Sequence, residues 1–354
     1  MIHLRYLTVF GILFLYDFCP LSGQEELHVS AIEKIEFSCK QFSLTGNLYL
    51  PETGGKSALA IWVHGDGPDL RTGRFPGTAF FNTFLDHGYA YFRYDKPGSG
   101  DSRGSFTDSL LFYERAGIVN SAFDKLKNHP RIDSSRIGLV GSSQAGYVIP
   151  IVLTMRTDVA FVTGLSLPAM DGNEQWAYLL KMQMICEGYS KEQAEEFSSM
   201  HLKLIRSASY EEFLETVRYF EINPVRLTSI KGYDENFADR IRNWWPLDWV
   251  KTQSFNPMTI IAHTRIPFLS IYGEYDTQVD PRQGAQAYQA ALEKAENPFY
   301  EVRILERTDH NMAQSKTGCL IEQQERGKLK IADGLSDLLA TWLTKLNLHL
   351  ETKN

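Results

Sequence analysis

A serine hydroxyl suited to nucleophilic attack lies in a segment of small residues, 141–146, with the sequence GSSQAG. The apolar stretch 136–140 before it predicts a β-strand, and the apolar residues after it predict a helix. A sharp strand–turn–helix bend needs small residues around the turning residue, because larger side chains would collide there. The bend lifts that residue's hydroxyl clear of the sheet and directs helix N-terminal amides at a bound carbonyl group. The pattern G-x-S-x-[GA] therefore predicts that Ser143 is a nucleophile, with Ala145 in place of the pattern's second glycine.

An aspartate and a histidine that could activate Ser143 follow two later predicted strands. Serine is a weak nucleophile at neutral pH, so it needs a base within hydrogen-bonding distance and an acid that orients the base. Asp276 follows the strand-like sequence PFLSIY, and His310 follows YEVRIL. Glu274 and Asp280 are rival acids, but Asp280 precedes a proline and suits the N-cap of the next helix. We predict His310 as the base and Asp276 as the acid.

A glycine-rich loop, HGDGP, follows the apolar stretch 58–63. Glycines here would let the backbone approach a substrate closely. We expect the backbone amides of Asp66 and Gln144 to stabilise an oxyanion, and such donors are worth about 3 kcal/mol each in the transition state. An ordinary glycine turn is the alternative interpretation.

These motifs lie at the ends of apolar segments that alternate with helical ones. A first segment, 32–51, alternates apolar and polar residues around Thr45-Gly46-Asn47 and predicts a hairpin. Further strands are predicted over 89–94, 136–140, 159–167, 267–272 and 300–305, and helices over 80–87, 110–127, 283–296 and 335–348. Strands separated by helices predict an α/β protein, with a mostly parallel sheet covered by helices on both faces.

One long segment, 171–255, contains no clear strand and interrupts this alternation. It predicts helices over 175–187, 191–207 and 210–220, and its pairs Ser190/Gln193 and Ser209/Glu212 fit the capping box. An insertion of this size predicts a helical cap over the carboxyl edge of the sheet. The alternative is that it only extends the helical layer.

Apolar side chains of this insertion could form the walls of a substrate pocket. The candidate substrate-binding residues are Trp176, Leu179, Met182, Trp244 and Trp245. An aromatic lining of this kind favours an acyl or aryl ester of modest size. The alternative is that these residues only seat the cap on the sheet.

The first residues of the chain predict a secretory signal peptide. Arg5 precedes an apolar run of about ten residues, which is too short to span a bilayer, and small residues follow it. We expect cleavage after Gly23 and a secreted or periplasmic protein without a stable membrane span. Lipidation at Cys19 is an alternative that the preceding Asp17-Phe18 disfavours. The predicted organisation is a signal peptide (1–23), a first core part (24–170), the cap insertion (171–255) and a second core part (256–354).

Cysteine spacing argues against a metal site. Four cysteines are present, and once Cys19 leaves with the signal peptide, Cys39, Cys186 and Cys319 remain. No CxxC or Cys/His cluster occurs, so zinc binding is not expected. One disulfide is possible in an oxidising compartment, but the sequence does not select the pair.

Composition and charge limit the class of protein. The 354 residues are 43% hydrophobic and 22% charged, which is typical of a folded globular protein. A net charge of −7 argues against a nucleic-acid partner, because phosphate binding needs a basic face. The expected partner is a small-molecule acyl ester, no cofactor or metal is required, and the oligomeric state stays open.

Taken together, the motifs resemble those of the α/β-hydrolase superfamily, over residues from about 35 to 348. The resemblance is greatest to serine-aminopeptidase-like and esterase hydrolases that carry an HGxGP loop, a D-K-P-G-x-G-x-S loop, a G-x-S-x-[GA]-G turn and a helical cap. It implies the α/β-hydrolase fold, with Ser143 as nucleophile, Asp276 as acid and His310 as base. It also implies oxyanion-hole amides at Asp66 and Gln144, whereas the loop from residue 95 to 102 is usually structural.

Four functions are compatible with this resemblance. We expect a serine hydrolase that cleaves carboxylic esters through an acyl-enzyme intermediate. A peptidase or amidase of the same fold is the first alternative, and it would need cap carboxylates such as Glu195, Glu196, Glu211 or Glu212 near Ser143 if it took free N-termini. A thioesterase, or a binding protein that has lost activity, is less expected. Related dienelactone hydrolases use cysteine as nucleophile and dehalogenases use aspartate, and neither agrees with a serine at this position.

Overall fold

The computed structural model describes residues 26–73, 75–105, 112–247, 254–326 and 330–352. The predicted signal peptide and Cys19 lie outside the described residues. The strands are β1 (Val29–Cys39), β2 (Phe42–Pro51), β3 (Ser57–Val63), β4 (Tyr89–Tyr94), β5 (Ile132–Ser142), β6 (Val162–Leu165), β7 (Phe268–Gly273) and β8 (Tyr300–Leu305). The helices are α1 (Thr78–Asp86), α2 (Phe112–Lys127), α3 (Ala145–Met155), α4 (Gly172–Cys186), α5 (Lys191–Ile205), α6 (Tyr210–Ile222), α7 (Phe237–Ile241), α8 (Met258–Ile261), α9 (Pro281–Lys294), α10 (Leu320–Glu325) and α11 (Leu335–Glu351).

The strands form one sheet in the order β1-β2-β4-β3-β5-β6-β7-β8. Strands β1 and β2 pair antiparallel, as do β2 and β4, and every pair from β4 through β8 is parallel. The carboxyl ends of β3, β5, β7 and β8 therefore meet at one edge, which is where open α/β sheets bind ligands. The predicted fold class, a mostly parallel sheet with helices on both faces, is confirmed.

Both faces of the sheet are buried under helices. In β3, Leu59, Ile61 and Val63 join the apolar cluster that contains α2, α3 and α9, while Ala60 and Trp62 join the cluster with α1 and α11. This alternation follows from the two-residue period of a strand. Burial on both sides explains why the central strands have continuous apolar sequences.

Helices α4 to α7 lie between β6 and β7 and have an apolar cluster of their own, which includes Leu180, Phe197, Phe213 and Phe237. The capping box at Ser190/Gln193 is confirmed on both sides. At α6, Ser209 accepts the Glu212 N–H, whereas the Glu212 carboxylate accepts from Ala208. In the described part of the chain, no helix is long and apolar enough to cross a membrane.

The turn of the N-terminal hairpin differs from the prediction. It lies at Lys40-Gln41, and Thr45-Gly46-Asn47 lie inside β2. Gly46 is in the strand because the Phe92 ring passes over it: an added Cβ would lie 2.3 Å from that ring. The glycine therefore marks a close packing contact and not a turn.

Candidate active site

Ser143 occupies a strained turn between β5 and α3. Its φ is +53°, a left-handed conformation that side chains other than glycine seldom adopt, and such strain is common at functional sites. Its backbone N–H donates to Leu165 O at 2.9 Å, and its carbonyl accepts the Gly146 N–H at 2.9 Å. The Ser143 side chain is half-buried. The geometry is that of the predicted strand–turn–helix bend.

The small residues of the motif are required by the packing around this turn. An added Cβ at Gly141 would lie 2.6 Å from Ala145 Cβ and 2.8 Å from Val63 O, and one at Gly146 would lie 2.8 Å from Pro168. Ala145 itself is fully buried, so a methyl group fits at that position. The departure from glycine there does not alter the turn.

Asp276 and His310, the predicted acid and base, are hydrogen-bonded to each other. His310 Nδ1 lies 2.8 Å from Asp276 Oδ2, and both side chains are buried. The other carboxylate oxygen of Asp276 accepts the backbone N–H groups of Gln278 and Val279, each at 2.8 Å. Asp276 is thus fixed as an acceptor, which orients the imidazole with Nδ1–H toward the acid and Nε2 available for a proton.

The loop that carries His310 is held against the end of β7. An added Cβ at Gly273 would lie 2.5 Å from the carbonyl oxygens of both Thr308 and Asp309, so the two loops cross at van der Waals contact. Asp309 accepts the N–H groups of Asn311 and Ala313 at 2.9 and 3.1 Å and completes a tight turn around His310. Burial raises the pKa of Asp309.

The rival acids have other partners. Glu274 accepts the Arg307 N–H at 2.9 Å, and Asp280 caps α9 by accepting from Arg282 and Gln283. Neither carboxylate is hydrogen-bonded to His310 in the described residues.

The three predicted triad residues share one edge of the sheet. Ser143 follows β5, Asp276 follows β7 and His310 follows β8. Within the described residues no hydrogen bond joins Ser143 to His310, and bonds of this kind often tighten only in a Michaelis complex. The assignment of Ser143 to the pair therefore stays a prediction based on topology and backbone conformation.

The predicted oxyanion loop lies beside the nucleophile. An added Cβ at Gly65 would lie 3.3 Å from Ser143 Cβ. The loop is tied down by His64, whose Nδ1 lies 2.7 Å from Asp69 Oδ2, while Arg93 donates to Asp69 at 2.9 Å. Burial lowers the pKa of His64 to about 4, so this imidazole is neutral at pH 7. The backbone amide of Asp66, two residues after His64, is predicted to bind an oxyanion.

Helix α4 contacts the Asp276 loop directly. The Tyr178 hydroxyl donates to Asp276 O at 3.0 Å, Gln183 Nε2 donates to Thr277 Oγ1 at 2.9 Å, and Gln175 donates to Gln278 O. Residues 175, 178 and 183 therefore all contact the segment 276–278. The insertion thereby meets the sheet at its carboxyl edge.

A disulfide reinforces this contact. Cys186 at the end of α4 pairs with Cys319, which precedes α10, across 133 residues of sequence. Close to it, Gln183 Oε1 accepts the Leu320 N–H at 3.1 Å. The sequence does not select the cysteine pair, whereas the structure joins Cys186 to Cys319. Cys39 is buried and has a free thiol.

The predicted pocket residues lie in the helical insertion at different depths. Leu179 belongs to the apolar cluster of the insertion, and Trp176, Trp244 and Trp245 pack against that cluster, with the Trp176 indole donating to Tyr233 at 2.9 Å. Met182 is half-buried. The structure thus gives four of the five a packing role within the insertion, and substrate contact stays a prediction for all of them.

Two cations at the oxyanion loop were not predicted as functional residues. Lys96 lies in the loop from residue 95 to 102, and Arg115 lies in the first turn of α2. A lysine two residues after the apolar strand β4 is a sequence signal for a buried charge, whereas nothing in the sequence distinguishes Arg115 from an exposed helix residue.

Comparison with known proteins supports the fold. No protein-family profile matches the chain, and no curated protein matches it significantly. Solved structures do match, among them the α/β hydrolase GrgF from Penicillium sp. sh18, which is 16% identical with a TM-score of 0.52 and covers 91% of this chain and 99% of its own.

Two esterases match to a similar degree. Est1E from Butyrivibrio proteoclasticus, with ferulic acid bound, is 17% identical with a TM-score of 0.53 and covers 90% of this chain and 99% of its own. The Pyrococcus furiosus esterase Pf2001 is 15% identical with a TM-score of 0.52, covering 93% and 99%. At these identities the matches establish the α/β-hydrolase fold.

Proposed function

We propose that this chain, which has the α/β-hydrolase fold, is a serine hydrolase that cleaves carboxylic esters. The observation that carries the proposal is the buried hydrogen bond between His310 and Asp276 at the sheet edge where Ser143 adopts its left-handed turn. An oriented imidazole at the same sheet edge as a serine hydroxyl is the arrangement that can activate the serine. Structural similarity to esterases agrees with this proposal.

In the first half of the reaction, Ser143 Oγ attacks the ester carbonyl and its proton moves to His310 Nε2. The carbonyl π electrons move to the oxygen, and the oxyanion accepts hydrogen bonds from the amides of Asp66 and Gln144. Asp276 stabilises the imidazolium. The carbon–oxygen bond to the alcohol then breaks, the alcohol takes the proton from His310, and an acyl-enzyme remains.

In the second half, water replaces the alcohol. His310 takes a proton from the water as it attacks the acyl carbonyl, and the same two amides hold the second oxyanion. When the bond to Ser143 Oγ breaks, the serine regains a proton from His310 and the carboxylic acid leaves. Each step uses only residues of this chain.

The peptidase alternative has weaker support. Glu195, Glu196, Glu211 and Glu212 are exposed. Glu195 pairs with Lys191, and Glu212 binds the Ala208 N–H. Among the described residues, no contact of these four glutamates therefore supports recognition of a free N-terminus, which an aminopeptidase would need. Turnover of a panel of esters, peptide anilides and acyl-thioesters separates the three chemistries, and faster cleavage of anilides than of esters would reject the ester proposal.

Secretion is part of the same proposal. Disulfides persist in oxidising compartments, and the Cys186–Cys319 pair agrees with a chain that leaves the cytosol. N-terminal sequencing of the exported protein tests cleavage after Gly23, and a mature protein that still begins at Met1 would contradict it.

Replacing the nucleophile is the direct test of the mechanism. Ser143→Ala should reduce kcat for p-nitrophenyl butyrate by at least about 10⁴-fold, since triad members act as a unit. It should also abolish labelling by a fluorophosphonate probe, while the melting temperature changes little. Ser142→Ala is the matched control, because Ser142 is adjacent and buried but lies off the pattern. Near-normal turnover in Ser143→Ala would remove this residue from the mechanism.

A further inference from the structure

We propose that Lys96 and Arg115 polarise the peptide bond between Gly65 and Asp66, which makes the Asp66 amide a stronger oxyanion donor. Both are positioning residues, since they act through the backbone of the loop and not on the substrate. The inference rests on the proposed ester hydrolysis. It gives a role in the reaction to Lys96, whose D-K-P-G-x-G-x-S loop is expected to be only structural, and to Arg115, which belongs to none of the motifs.

Both cations bind the carbonyl oxygen of Gly65. Lys96 Nζ donates to Gly65 O at 2.6 Å, and Arg115 Nη2 donates to the same oxygen at 2.8 Å. Lys96 also binds Gly67 O, and Arg115 also binds His64 O. The Lys96 and Arg115 side chains are buried, at 5% and 9% exposure, so water screens these charges poorly.

The geometry of a peptide bond relates these contacts to the Asp66 amide. Gly65 O and Asp66 N–H belong to one peptide plane, and in a trans peptide they point in opposite directions. The peptide is trans, because the cis bonds of the described chain are at Pro76 and Pro246. Since the carbonyl is directed at the cations, the Asp66 N–H is directed away from them. Gly65 lies beside Ser143, with 3.3 Å between an added Cβ and Ser143 Cβ.

Positive charge at a carbonyl oxygen changes the donor at the other end of the same peptide. It draws electron density from the amide nitrogen and makes the N–H more acidic, and hydrogen bonds polarised in this way strengthen one another. Bonds that involve an ion are roughly twice as strong as neutral ones. Two cations on one carbonyl oxygen should therefore increase the stabilisation of an oxyanion at the Asp66 amide.

Arg115 also connects the two predicted oxyanion donors. Its Nη1 donates to Gln144 Oε1 at 2.6 Å, so one guanidinium binds both the Gly65 peptide and the residue after the nucleophile. Neutral donors would tether the loop at a lower desolvation cost than two buried charges. The use of charges here favours an electrostatic role over simple anchoring of the loop.

The test replaces charge while keeping a donor. Lys96→Gln and Arg115→Gln retain a neutral N–H, whereas Lys96→Arg and Arg115→Lys retain the charge. We measure kcat for p-nitrophenyl butyrate and the affinity of an alkyl trifluoromethyl ketone, which adds to Ser143 as a hemiketal oxyanion. The matching methyl ketone reports ground-state binding, and thermal unfolding reports stability.

Each glutamine variant should lose kcat and trifluoromethyl ketone affinity in parallel, on the order of 10- to 100-fold, because the donor is weakened and not removed. Methyl ketone affinity should stay unchanged, and the charged variants should recover most of the loss. The two positions are tested separately, so the inference can still be tested if only one of the two glutamine variants folds.

The outcomes separate this inference from the proposed function. Ser143-dependent turnover in the wild type, together with unchanged trifluoromethyl ketone affinity in the glutamine variants, overturns the inference and leaves ester hydrolysis standing. An equal loss in glutamine and charged variants also overturns it, since the role would then be steric. A wild type that neither cleaves esters nor forms the ketone adduct overturns both.

Discussion

At the scale of single residues, the acid–base pair depends on two backbone contacts that place its side chains. The Asp276 carboxylate is fixed by two N–H groups of its own loop, and the His310 loop crosses over Gly273. Position along the chain was enough to predict this pair, because both residues follow parallel strands. It was not enough to predict Lys96 or Arg115, whose role depends on which carbonyl oxygens face them.

The assignment of the acid can be tested against its nearest rival. Asp276→Asn should lower kcat on the order of 10³- to 10⁴-fold, because the amide no longer stabilises the imidazolium or fixes its tautomer. Asp280→Asn is the matched control: asparagine is also a good N-cap, so α9 and the activity should be retained. A larger loss of ester turnover in Asp280→Asn than in Asp276→Asn would show that the acid is misassigned.

A methyl group at Gly273 should displace the base. Gly273→Ala would bring a Cβ to 2.5 Å from the carbonyl oxygens of Thr308 and Asp309, so the His310 loop must move. We expect a loss of about 1 to 3 kcal/mol in the free energy of unfolding and a fall in kcat with little change in KM. Gly54→Ala is the control, since no atom lies within 4 Å of its added Cβ. An unchanged kcat in Gly273→Ala would contradict the expectation that contact with Gly273 positions His310.

At the scale of secondary-structure elements, α4 attaches the insertion to the carboxyl edge of the sheet. Its side chains donate to the Asp276 loop, and the disulfide fixes its last residue. The sequence predicted α4 through its apolar pattern, but a disulfide pairs residues that are distant in sequence and needs the tertiary structure. The wrong prediction of the hairpin turn also comes from a contact between residues distant in sequence. The Phe92 ring that requires a glycine at position 46 lies on β4.

Removing the disulfide should loosen this attachment. Cys186→Ser with Cys319→Ser should lower the free energy of unfolding by about 2 to 5 kcal/mol, because the bond closes a long loop of the unfolded chain. The activity should also fall, since Gln183 and the segment at Leu320 depend on the same contact. Denaturant unfolding and ester turnover measure the two effects, with Cys39→Ala as the cysteine control. Equal stability with and without the bond would contradict this account.

At the scale of the whole molecule, two buried histidines make the fold sensitive to acid. His201 lies inside the helical insertion, 3.0 Å from the Tyr233 hydroxyl, and His64 is the buried first residue of the HGDGP loop. Burial lowers the pKa of His201 to about 3 and that of His64 to about 4. An unfolded histidine titrates near pH 6.5, so between pH 6.5 and 4 the unfolded chain binds more protons. The two neutral histidines therefore contribute fully to the free energy of unfolding above pH 6.5. This contribution is lost as the pH falls from 6.5 to 4.

The cap histidine can be tested by stability measurements at two pH values. We expect the free energy of unfolding of the wild type to decrease between pH 7.5 and pH 4.5, with His201 contributing on the order of 2 to 3 kcal/mol of that decrease. His201→Gln should reduce the dependence on pH, whereas His263→Gln, at an exposed position, should not. Urea unfolding at both pH values measures the free energy of unfolding of each variant. Equal pH dependence in the wild type and His201→Gln would contradict the assignment.

The bond between Cys186 and Cys319 closes a covalent ring that contains most of the helical insertion, Asp276 and His310. Proteolytic cleavage at a single peptide bond inside this ring does not separate the chain into two pieces, because the disulfide still joins them. A nicked molecule would migrate as one band on a denaturing gel without reductant and as two bands with it. Asp276 and His310 would stay tethered to the remainder of the chain after the cut.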